Sequence, residues 1–379
     1  MIYLDNSATT KPFSSIVESF TQVTKQYFGN PSSIHHLGGQ SEKLLTSARD
    51  QVAQLLEVNS EEIIFTSGGT EGNNMVIKGI AYKHQNRGKH MITTAIEHPS
   101  VLETFQQLER EGFHVTYLPV NEAGQVNVDD VEQAITDETI LLSIMHVNNE
   151  IGSIMPLVEI GALAKKYPKL FFHVDAVQSV GKIPLMLKNS GIDSCTISGH
   201  KIHGLKGTGI LYMNEKMALQ PLFTGGAQEF GIRSGTENLA GAVAMARALR
   251  LIKEKETTEQ SHLLNLHELL INGFEKMPDV VINSPNNGAP HIVNISLPGF
   301  KPEVVIHALG EENIFISTKS ACSSKRDDES HVLMACGFDQ ERASSALRIS
   351  TSYDTTTEDI KAFLQVFQQT IQRLKMVME

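Results

Sequence analysis

A lysine among small residues is the first candidate for chemistry in this sequence. Lys201 lies between two histidines in SGHKIHGLKGTG, residues 198–209, which also contains four glycines. The segment directly follows SCTIS, a run typical of a buried strand. A lysine amine can form a Schiff base with a carbonyl group, and neighbouring glycines leave room for a flat, bulky partner. The setting therefore predicts a reactive lysine rather than a surface one.

Two further segments before this lysine could hold parts of the same ligand. FTSGGTEGNN, residues 65–74, is typical of a strand, a glycine turn and a helix from Glu71, whose free N–H groups would bind phosphate. The alternative is an ordinary loop capped by Thr70. Asp175 ends the apolar run in HVDAVQS, where α/β sheets bind ligands. It could cap the next helix or hold a protonated ring nitrogen.

A phosphate loop, a strand-end aspartate and a confined lysine, in this order, are the contacts that pyridoxal phosphate requires. Two other residues fit such a site. His98 in EHPS follows the strand-like run HMITTAI, so its ring can lie on the cofactor, although a structural histidine is the alternative. Arg348 in SSALRIS can clamp a substrate carboxylate through two hydrogen bonds, and a surface ion pair is the alternative.

The three cysteines are odd in number and never spaced as CxxC, which argues against a disulfide scaffold or a zinc site. Cys195 lies in a strand-like run and Cys336 in the apolar helix VLMACGF, so both are expected to be inert core residues. Cys322 lies in the polar stretch STKSACSSKRDDES, where Lys319 and Lys325 would favour its thiolate. We expect an exposed, functional thiol there, with a harmless surface thiol as the alternative.

The elements that must position these residues alternate along the chain. Strand-length apolar runs such as EEIIF, HVTYLPV, TILLSIMHV, FFHVDAV and GILYM are separated by helical patterns such as PSVLETFQQLEREG. This order predicts an α/β fold with a mainly parallel sheet and helices on both faces. The polar stretch KEKETTEQ, residues 253–260, is a candidate joint between domains. We expect a large cofactor-binding domain at 14–257 and a smaller α+β domain formed by 1–13 and 258–379.

Composition limits the possible partners. The 379 residues carry a formal net charge of −11, which argues against direct nucleic-acid binding. No apolar run approaches the ~18 residues of a membrane span. The N-terminal MIYLDNSATT has neither a basic region nor an apolar signal core, so a cytoplasmic location is expected.

These segments together resemble one family, the NifS-like pyridoxal-phosphate cysteine desulfurases. The resemblance is carried, in family order, by LDNSATT, TSGGTEGNN, EHPSVL, MHVNNEIG, HVDAVQSVGK, SGHKIHGLKG, GIRSGTEN and SACSS. SACSS resembles the branch with a long cysteine loop. The resemblance implies a fold-type-I architecture with a mainly parallel seven-stranded sheet, flanked by helices, and a smaller α+β domain. Ser7, Leu205, Lys319 and Phe230 depart from the usual family pattern.

The resemblance also implies roles for individual residues. Those at the cofactor would be Gly69, Thr70, Ser198 and His200 at the phosphate, Asp175 at the ring nitrogen, Gln178 at the ring oxygen, His98 stacked on the ring, Lys201 in the Schiff base, and Asn149. Asn149 and Arg348 would bind the substrate carboxylate. Thr236 would reach the phosphate of the neighbouring subunit, which implies a homodimer. Cys322 would be the nucleophile that takes the sulfur.

The reaction implied by the resemblance converts L-cysteine to L-alanine and leaves the sulfur as a persulfide on Cys322. The sulfur would then pass to an iron–sulfur scaffold or to a tRNA- or thiamine-thiolation enzyme. The alternatives are an aminotransferase or selenocysteine lyase of the same fold, and a catalytically silent assembly scaffold. The Lys201, His98 and Cys322 set argues against the silent scaffold.

Overall fold

A seven-stranded sheet forms the centre of the part of the chain that the computed structural model describes, residues 1–318 and 329–378. The strands in chain order are β1 Ile2–Tyr3, β2 Ile63–Thr66, β3 His90–Thr94, β4 His114–Leu118, β5 Thr139–Met145, β6 Phe171–Asp175, β7 Ser194–Ser198, β8 Gly209–Met213, β9 Val281–Ile282, β10 Ile292–Ser296, β11 Ile314–Phe315 and β12 Ala346–Ser350. The main sheet has the order β2-β8-β7-β6-β5-β3-β4.

Pairing in the main sheet is parallel except at β8, which runs antiparallel to both β2 and β7. The strands β5, β7 and β8 are buried at every position. Strands covered by helices on both faces bury every side chain, which explains why their sequences are continuous apolar runs rather than alternating ones. The predicted mainly parallel seven-stranded sheet is confirmed.

Helices cover both faces of this sheet and continue into the last third of the chain. They are α1 Ser14–Gln26, α2 His36–Leu56, α3 Gly69–His84, α4 Pro99–Arg110, α5 Val128–Ala134, α6 Leu157–Ala164, α7 Leu239–Thr258, α8 Gln260–Phe274, α9 Pro302–Glu311, α10 His331–Ala335, α11 Gln340–Ser344 and α12 Thr357–Met378. Helix α3 begins two residues before the predicted Glu71. None of the helices in the described ranges is long and apolar enough to cross a membrane.

The polar stretch at residues 253–260 is mostly helical. Helix α7 continues to Thr258, and α8 begins at Gln260 after a single non-helical residue, Glu259. The charges support the helix because they are spaced three or four residues apart: Lys253 pairs with Glu256 at 2.7 Å, and Lys255 with Glu259 at 3.1 Å. The non-helical part of this stretch is therefore one residue long, shorter than the eight-residue joint that the sequence suggested.

A second hydrophobic cluster lies outside the main sheet. The antiparallel strands β9, β10 and β12 pack with α8, α9 and α12 around buried side chains that include Phe274, Phe363 and Phe367. The N-terminal strand β1 joins this region by pairing in parallel with β11. The chain then runs from β1 toward the main sheet, where it meets the candidate site.

Candidate active site

Ten of the predicted site residues gather around one cavity of about 740 Å³, open in part to solvent. It lies at the carboxyl ends of the parallel strands β5, β6 and β7 and at the N-terminus of α3. Its lining includes Gly69, Thr70, His98, Asn149, Asp175, Gln178, Ser198, His200, Lys201 and Arg348. Ten positions separated by up to 279 residues in the sequence therefore meet in one place.

Lys201 lies in a short turn, Gly199–Lys201, directly after β7. Its Nζ donates hydrogen bonds to the backbone carbonyls of Ser7 and Ala8, the second at 2.8 Å. The same N-terminal segment also contacts His200, the residue before Lys201, because the Thr10 N–H donates to the His200 carbonyl at 2.8 Å. The segment LDNSATT thus forms one wall of the lysine's surroundings.

Asp175 is the last residue of β6 and is buried. Its Oδ2 accepts a hydrogen bond from Asn73 Nδ2 at 2.7 Å, and its Oδ1 accepts from the Val177 N–H at 2.9 Å. The second contact closes a turn rather than capping a helix, so the capping alternative is wrong. The carboxylate is held rigidly at the cavity wall.

His98 caps α4, and its Nδ1 accepts from the Ser100 N–H at 3.1 Å. Burial lowers the pKa of His98, although the Asp175 charge acts in the opposite direction. Burial and the Lys201 charge lower the pKa of His200 to about 4. Both imidazoles are therefore neutral at physiological pH, which suits stacking and proton transfer rather than ion pairing.

The phosphate end of the cavity is built from backbone and small side chains. Gly68 precedes α3 without any side-chain cap, so the alternative of a loop capped by Thr70 is wrong. A Cβ at Gly69 would lie 2.8 Å from Val177 Cγ2, so a larger residue here would require the Val177 side chain to move. The Ser198 hydroxyl is buried and has no hydrogen-bond partner among the described residues. A helix N-terminus with an unpartnered hydroxyl fits a phosphate group.

Gln178 fits the ring of the same cofactor. Its Nε2 donates to the Ser7 carbonyl at 2.9 Å, and its second amide hydrogen remains for another acceptor. Its Oε1 is buried and has no partner in the described part of the chain. Together with the Asp175 carboxylate and the Lys201 amine, these donors and acceptors match those that pyridoxal phosphate needs.

Arg348 lies at the centre of β12 and is only 1% exposed, so the surface ion pair considered above is wrong. Its Nη1 donates to the Asn149 carbonyl at 2.9 Å and its Nη2 to Asp5 Oδ1 at 3.0 Å. Its Nε is buried without a partner among residues 1–318 and 329–378. A buried guanidinium with a remaining donor can receive a carboxylate.

The two cysteines that the structure describes are buried, as the sequence predicted. Cys195 and Cys336 are free and buried. Burial raises the pKa of both thiols, that of Cys336 to about 12. Cys322, Lys319 and Lys325 lie outside the described residues.

Two other residues named from the sequence, Thr236 and Phe230, lie at exposed positions. Thr236 is exposed and does not line the cavity formed by its own chain. Phe230, one of the departures from the family pattern, is also exposed, and the Arg49 guanidinium lies 5.0 Å from its ring centre.

Sequence reasoning did not assign roles to several residues of the site. Ser7 and Ala8 act through backbone carbonyls, which carry no residue-type signal. Asn73 and Ser100 lie inside quoted motifs, TSGGTEGNN and EHPSVL, but their contacts depend on how α3 packs against α4 and the end of β6. Asp5, in LDNSATT, is the ion-pair partner of Arg348.

A mainly parallel seven-stranded sheet with a lysine, an aspartate and a helix N-terminus at one cavity defines a pyridoxal-phosphate-dependent enzyme of fold type I. The comparisons with known proteins agree. The family model "Aminotransferase class-V" matches residues 2–363. A NifS/IcsS protein homolog from Lactobacillus delbrueckii subsp. bulgaricus is 44% identical, over 100% of this chain and 99% of that protein.

Two further matches are more specific. A protein named cysteine desulfurase IscS from Clostridium botulinum is 43% identical, over 98% of this chain and 94% of its own length. A solved structure titled "NIFS-LIKE PROTEIN" superposes with a TM-score of 0.92 at 35% identity, over 98% of this chain and 99% of that one. The chain therefore belongs to the class-V aminotransferase family, among the NifS-like cysteine desulfurases, and its cofactor is pyridoxal phosphate.

Proposed function

We propose that this protein is a cysteine desulfurase that converts L-cysteine to L-alanine and leaves the sulfur as a persulfide on Cys322. The observation that carries the proposal is the single cavity in which Lys201, His98, Asp175 and Arg348 meet. Atoms balance without an added oxidant, because cysteine and one enzyme thiol give alanine and one enzyme persulfide.

The chain's residues divide the work of holding the cofactor. Lys201 Nζ would bind its aldehyde carbon, Asp175 would accept the ring N–H, and Gln178 would donate to the ring oxygen. The backbone at Gly69 and Thr70, with the side chains of Ser198 and His200, would hold the phosphate. Pyridoxal phosphate, when bound there, supplies an electron-poor ring that stabilises negative charge at the substrate's α-carbon.

The remaining residues would bind the substrate and move protons. Arg348 and Asn149 would hold the carboxylate of cysteine at the inner wall of the cavity. Lys201 Nζ, once displaced by the substrate's amine, would take the α-proton, and His98 would pass a proton at its ring. The Cys322 thiolate would attack the substrate sulfur and keep it.

The test measures alanine and sulfide formed from cysteine alone in the presence of a reductant. An aminotransferase would instead form a keto acid and need a second substrate, and a silent scaffold would form neither product. Cys322→Ser should keep the cofactor's yellow colour but release almost no alanine. Cys336→Ser is the matched control and should stay within a few-fold of the parent. Added sulfur on Cys336 or Cys195 in place of Cys322 would refute the assignment.

The protein is proposed to act as a homodimer. Thr236 would reach the phosphate in the neighbouring subunit's cavity, and its exposure in the single chain supports this role. Large apolar side chains that are exposed in the described part of one chain, including Phe28, Ile34, Phe223 and Phe230, also favour burial against a partner. Sedimentation analysis of the holoenzyme checks the dimer.

The sulfur would be delivered to an acceptor protein, either an iron–sulfur scaffold or an enzyme that thiolates tRNA or a thiamine precursor. Feeding radiosulfur-labelled cysteine to the enzyme in cell extract would identify the labelled acceptor. The acidic net charge of −11 argues that tRNA itself is not bound directly. A cytoplasmic location is part of the proposal, and the free, unpaired state of Cys195 and Cys336 supports a reducing compartment.

The chain is proposed to divide into a large domain, 14–257, and a small domain, 1–13 with 258–379. The separate hydrophobic cluster around Phe274, Phe363 and Phe367 supports the division. Hydrogen exchange provides the test, because two domains should show two groups of amides with different opening free energies. A single group spanning both ranges would argue against it.

A further inference from the structure

Asn73 contacts two parts of the site that lie on different elements. It belongs to α3, is fully buried and lines the cavity. Its Nδ2 donates to Asp175 Oδ2 at 2.7 Å and to Ser100 Oγ at 3.0 Å. One amide therefore joins the end of β6 to the start of α4.

The contacts fix which way this amide points. A carboxylate only accepts hydrogen bonds, so the nitrogen must face Asp175 and the oxygen must face the other way. There Asn73 Oδ1 lies 3.1 Å from His173 Nε2, which must then carry the ring proton. His173 Nδ1 is left to accept from the Ser194 hydroxyl at 2.9 Å. Burial lowers the pKa of His173 to about 3, in agreement with a neutral ring that carries one proton.

The hydrogen-bond network that begins at Asn73 also reaches His98. Ser100 Oγ accepts a hydrogen bond from Asn73 Nδ2 and lies 2.9 Å from His98 Nδ1. The Ser100 backbone N–H also donates to that nitrogen, at 3.1 Å. A ring nitrogen that accepts from a backbone N–H has no proton of its own, so the proton of neutral His98 is on Nε2.

We propose that Asn73 is a positioning residue that holds the Asp175 carboxylate at the cavity wall and, through Ser100, keeps the His98 proton on Nε2. Neutral His98 then gives a proton at Nε2 rather than taking one. This inference rests on the proposed function for the roles of Asp175 and His98. It goes beyond that function by defining the direction of proton transfer at His98.

The first measurement is the tautomer of His98 in the parent holoenzyme. Nitrogen NMR of histidine-labelled protein distinguishes the two ring nitrogens, and His98→Gln identifies the signals by their loss. A proton on Nε2 is the expected result. A proton on Nδ1 overturns the proposal, whatever the behaviour of any variant.

The second measurement uses Asn73→Ala, with Asn74→Ala as the matched control. Asn74 is the next residue of α3 and is half-buried. Its Nδ2 donates to the backbone carbonyls of Thr70 at 3.0 Å and Ser100 at 3.5 Å, and not to Asp175 or the Ser100 hydroxyl. Asn73→Ala should lower kcat for alanine formation by roughly 10- to 100-fold while KM for cysteine changes little, because proton transfer is affected and the carboxylate clamp is not. Its His98 signals should show both tautomers. Asn74→Ala should match the parent in both readouts.

Ser100→Ala separates the two arms of the network and also guards against a folding defect in Asn73→Ala. It keeps the Asn73–Asp175 contact but removes the hydroxyl through which Asn73 acts on His98, so its His98 tautomer should shift at least as much as that of Asn73→Ala. Equal kcat and an unchanged His98 tautomer in Asn73→Ala would overturn the proposal. Absence of both a cofactor chromophore and alanine formation would instead refute the proposed function, and the parent's His98 tautomer would still decide the inference.

Discussion

At the scale of single residues, Glu97 is a buried acid next to His98, and its burial disfavours the ionised form of the carboxyl group. Its Oε1 accepts from the Met145 N–H at 2.9 Å and from Thr94 Oγ1 at 2.8 Å, while its Oε2 has no partner among the described residues. Burial raises the pKa of Glu97 from 4.5 to about 8, and the nearby Asp175 charge adds to the effect. Glu97 is therefore protonated at neutral pH in the folded protein.

This shift predicts a pH-dependent effect of Glu97→Gln. Because the folded-state pKa is raised, the stability that the acid contributes is complete below about pH 4.5 and is lost as the pH rises toward 8. The glutamine has no such loss, so relative to the parent it should gain on the order of 5 kcal/mol in unfolding free energy between pH 4.5 and 8.

Denaturant unfolding at several pH values measures the effect of Glu97→Gln. Glu103→Gln is the control, because it makes the same carboxyl-to-amide change at an exposed position of the following helix. Parallel stability curves for parent and Glu97→Gln across this pH range would contradict the buried neutral acid.

Arg348→Lys tests the proposed carboxylate clamp. Lysine keeps the positive charge but lacks the planar fork that donates to Asn149, Asp5 and a substrate carboxylate together. KM for cysteine should rise by roughly 10- to 100-fold, the loss of one charge-assisted hydrogen bond, with a smaller change in kcat. Steady-state alanine formation measures both. Arg250→Lys, at an exposed i,i+4 pair, should leave KM unchanged, and an unchanged KM in Arg348→Lys would contradict the clamp.

Residue types in the sequence predicted the titratable side chains that line the cavity better than the groups that orient them. Lys201, Asp175 and His98 follow strand-like runs, and this placement alone indicated a common edge of the sheet. The carbonyls that hold the lysine amine could not be predicted, because every residue has one. The Asn73 contacts could not be predicted either, since they depend on how α3 packs against helix α4 and the end of strand β6.

At the scale of elements, the close approach of α3 to the sheet depends on glycine. A Cβ at Gly72 would lie 2.8 Å from both Cγ2 and Oγ1 of Thr196 in β7. Gly72→Ala should therefore destabilise the fold by about 1–3 kcal/mol and weaken cofactor binding, because α3 also carries the phosphate end of the cavity. Thermal unfolding and cofactor titration measure the two effects.

Gly310→Ala is the matched control for this change. Gly310 lies in α9, and a Cβ there would have nothing within 4 Å. Alanine should stabilise that helix by up to about 1 kcal/mol. A Gly72→Ala protein as stable as the parent, with equal cofactor affinity, would show that α3 can move away from β7 freely.

Element types were easier to predict than their ends and directions. Apolar periodicity located the strands of the main sheet, but β3 to β6 each end about two residues before the apolar run does. The antiparallel direction of β8 has no counterpart in local sequence, because an all-buried strand has the same composition in either direction. The stretch at residues 253–260 resembled a linker by composition, whereas the spacing of its charges favours a helix.

At the scale of the whole molecule, the proposed sharing of the site between two subunits predicts complementation. A dimer of one Lys201→Ala chain and one Thr236→Val chain would contain one site with both native residues. Mixing and reassociating the two variants at limiting cofactor should restore about a quarter of parental activity, since about half of the dimers are mixed and each has one intact site of two. Alanine formation measures the recovery.

The control mixes Lys201→Ala with a chain that carries both substitutions. No dimer in that mixture has an intact site, so activity should stay at background. Failure of the first mixture to recover, with mixed dimers present by mass spectrometry, would place Thr236 outside the partner's site.

The N-terminal segment has a consequence for how the protein folds. Its strand β1 pairs with β11, and the carbonyls of Ser7 and Ala8 accept from Lys201, so its partners lie about 190 to 310 positions further along the chain. Contacts with such long sequence separation form slowly, because the entropy of closing large loops must be offset first. On dilution from denaturant, circular dichroism should recover well before the yellow colour of bound cofactor. The surroundings of the reactive lysine would then be among the last parts of the molecule to form, and capture of the cofactor would mark the end of folding.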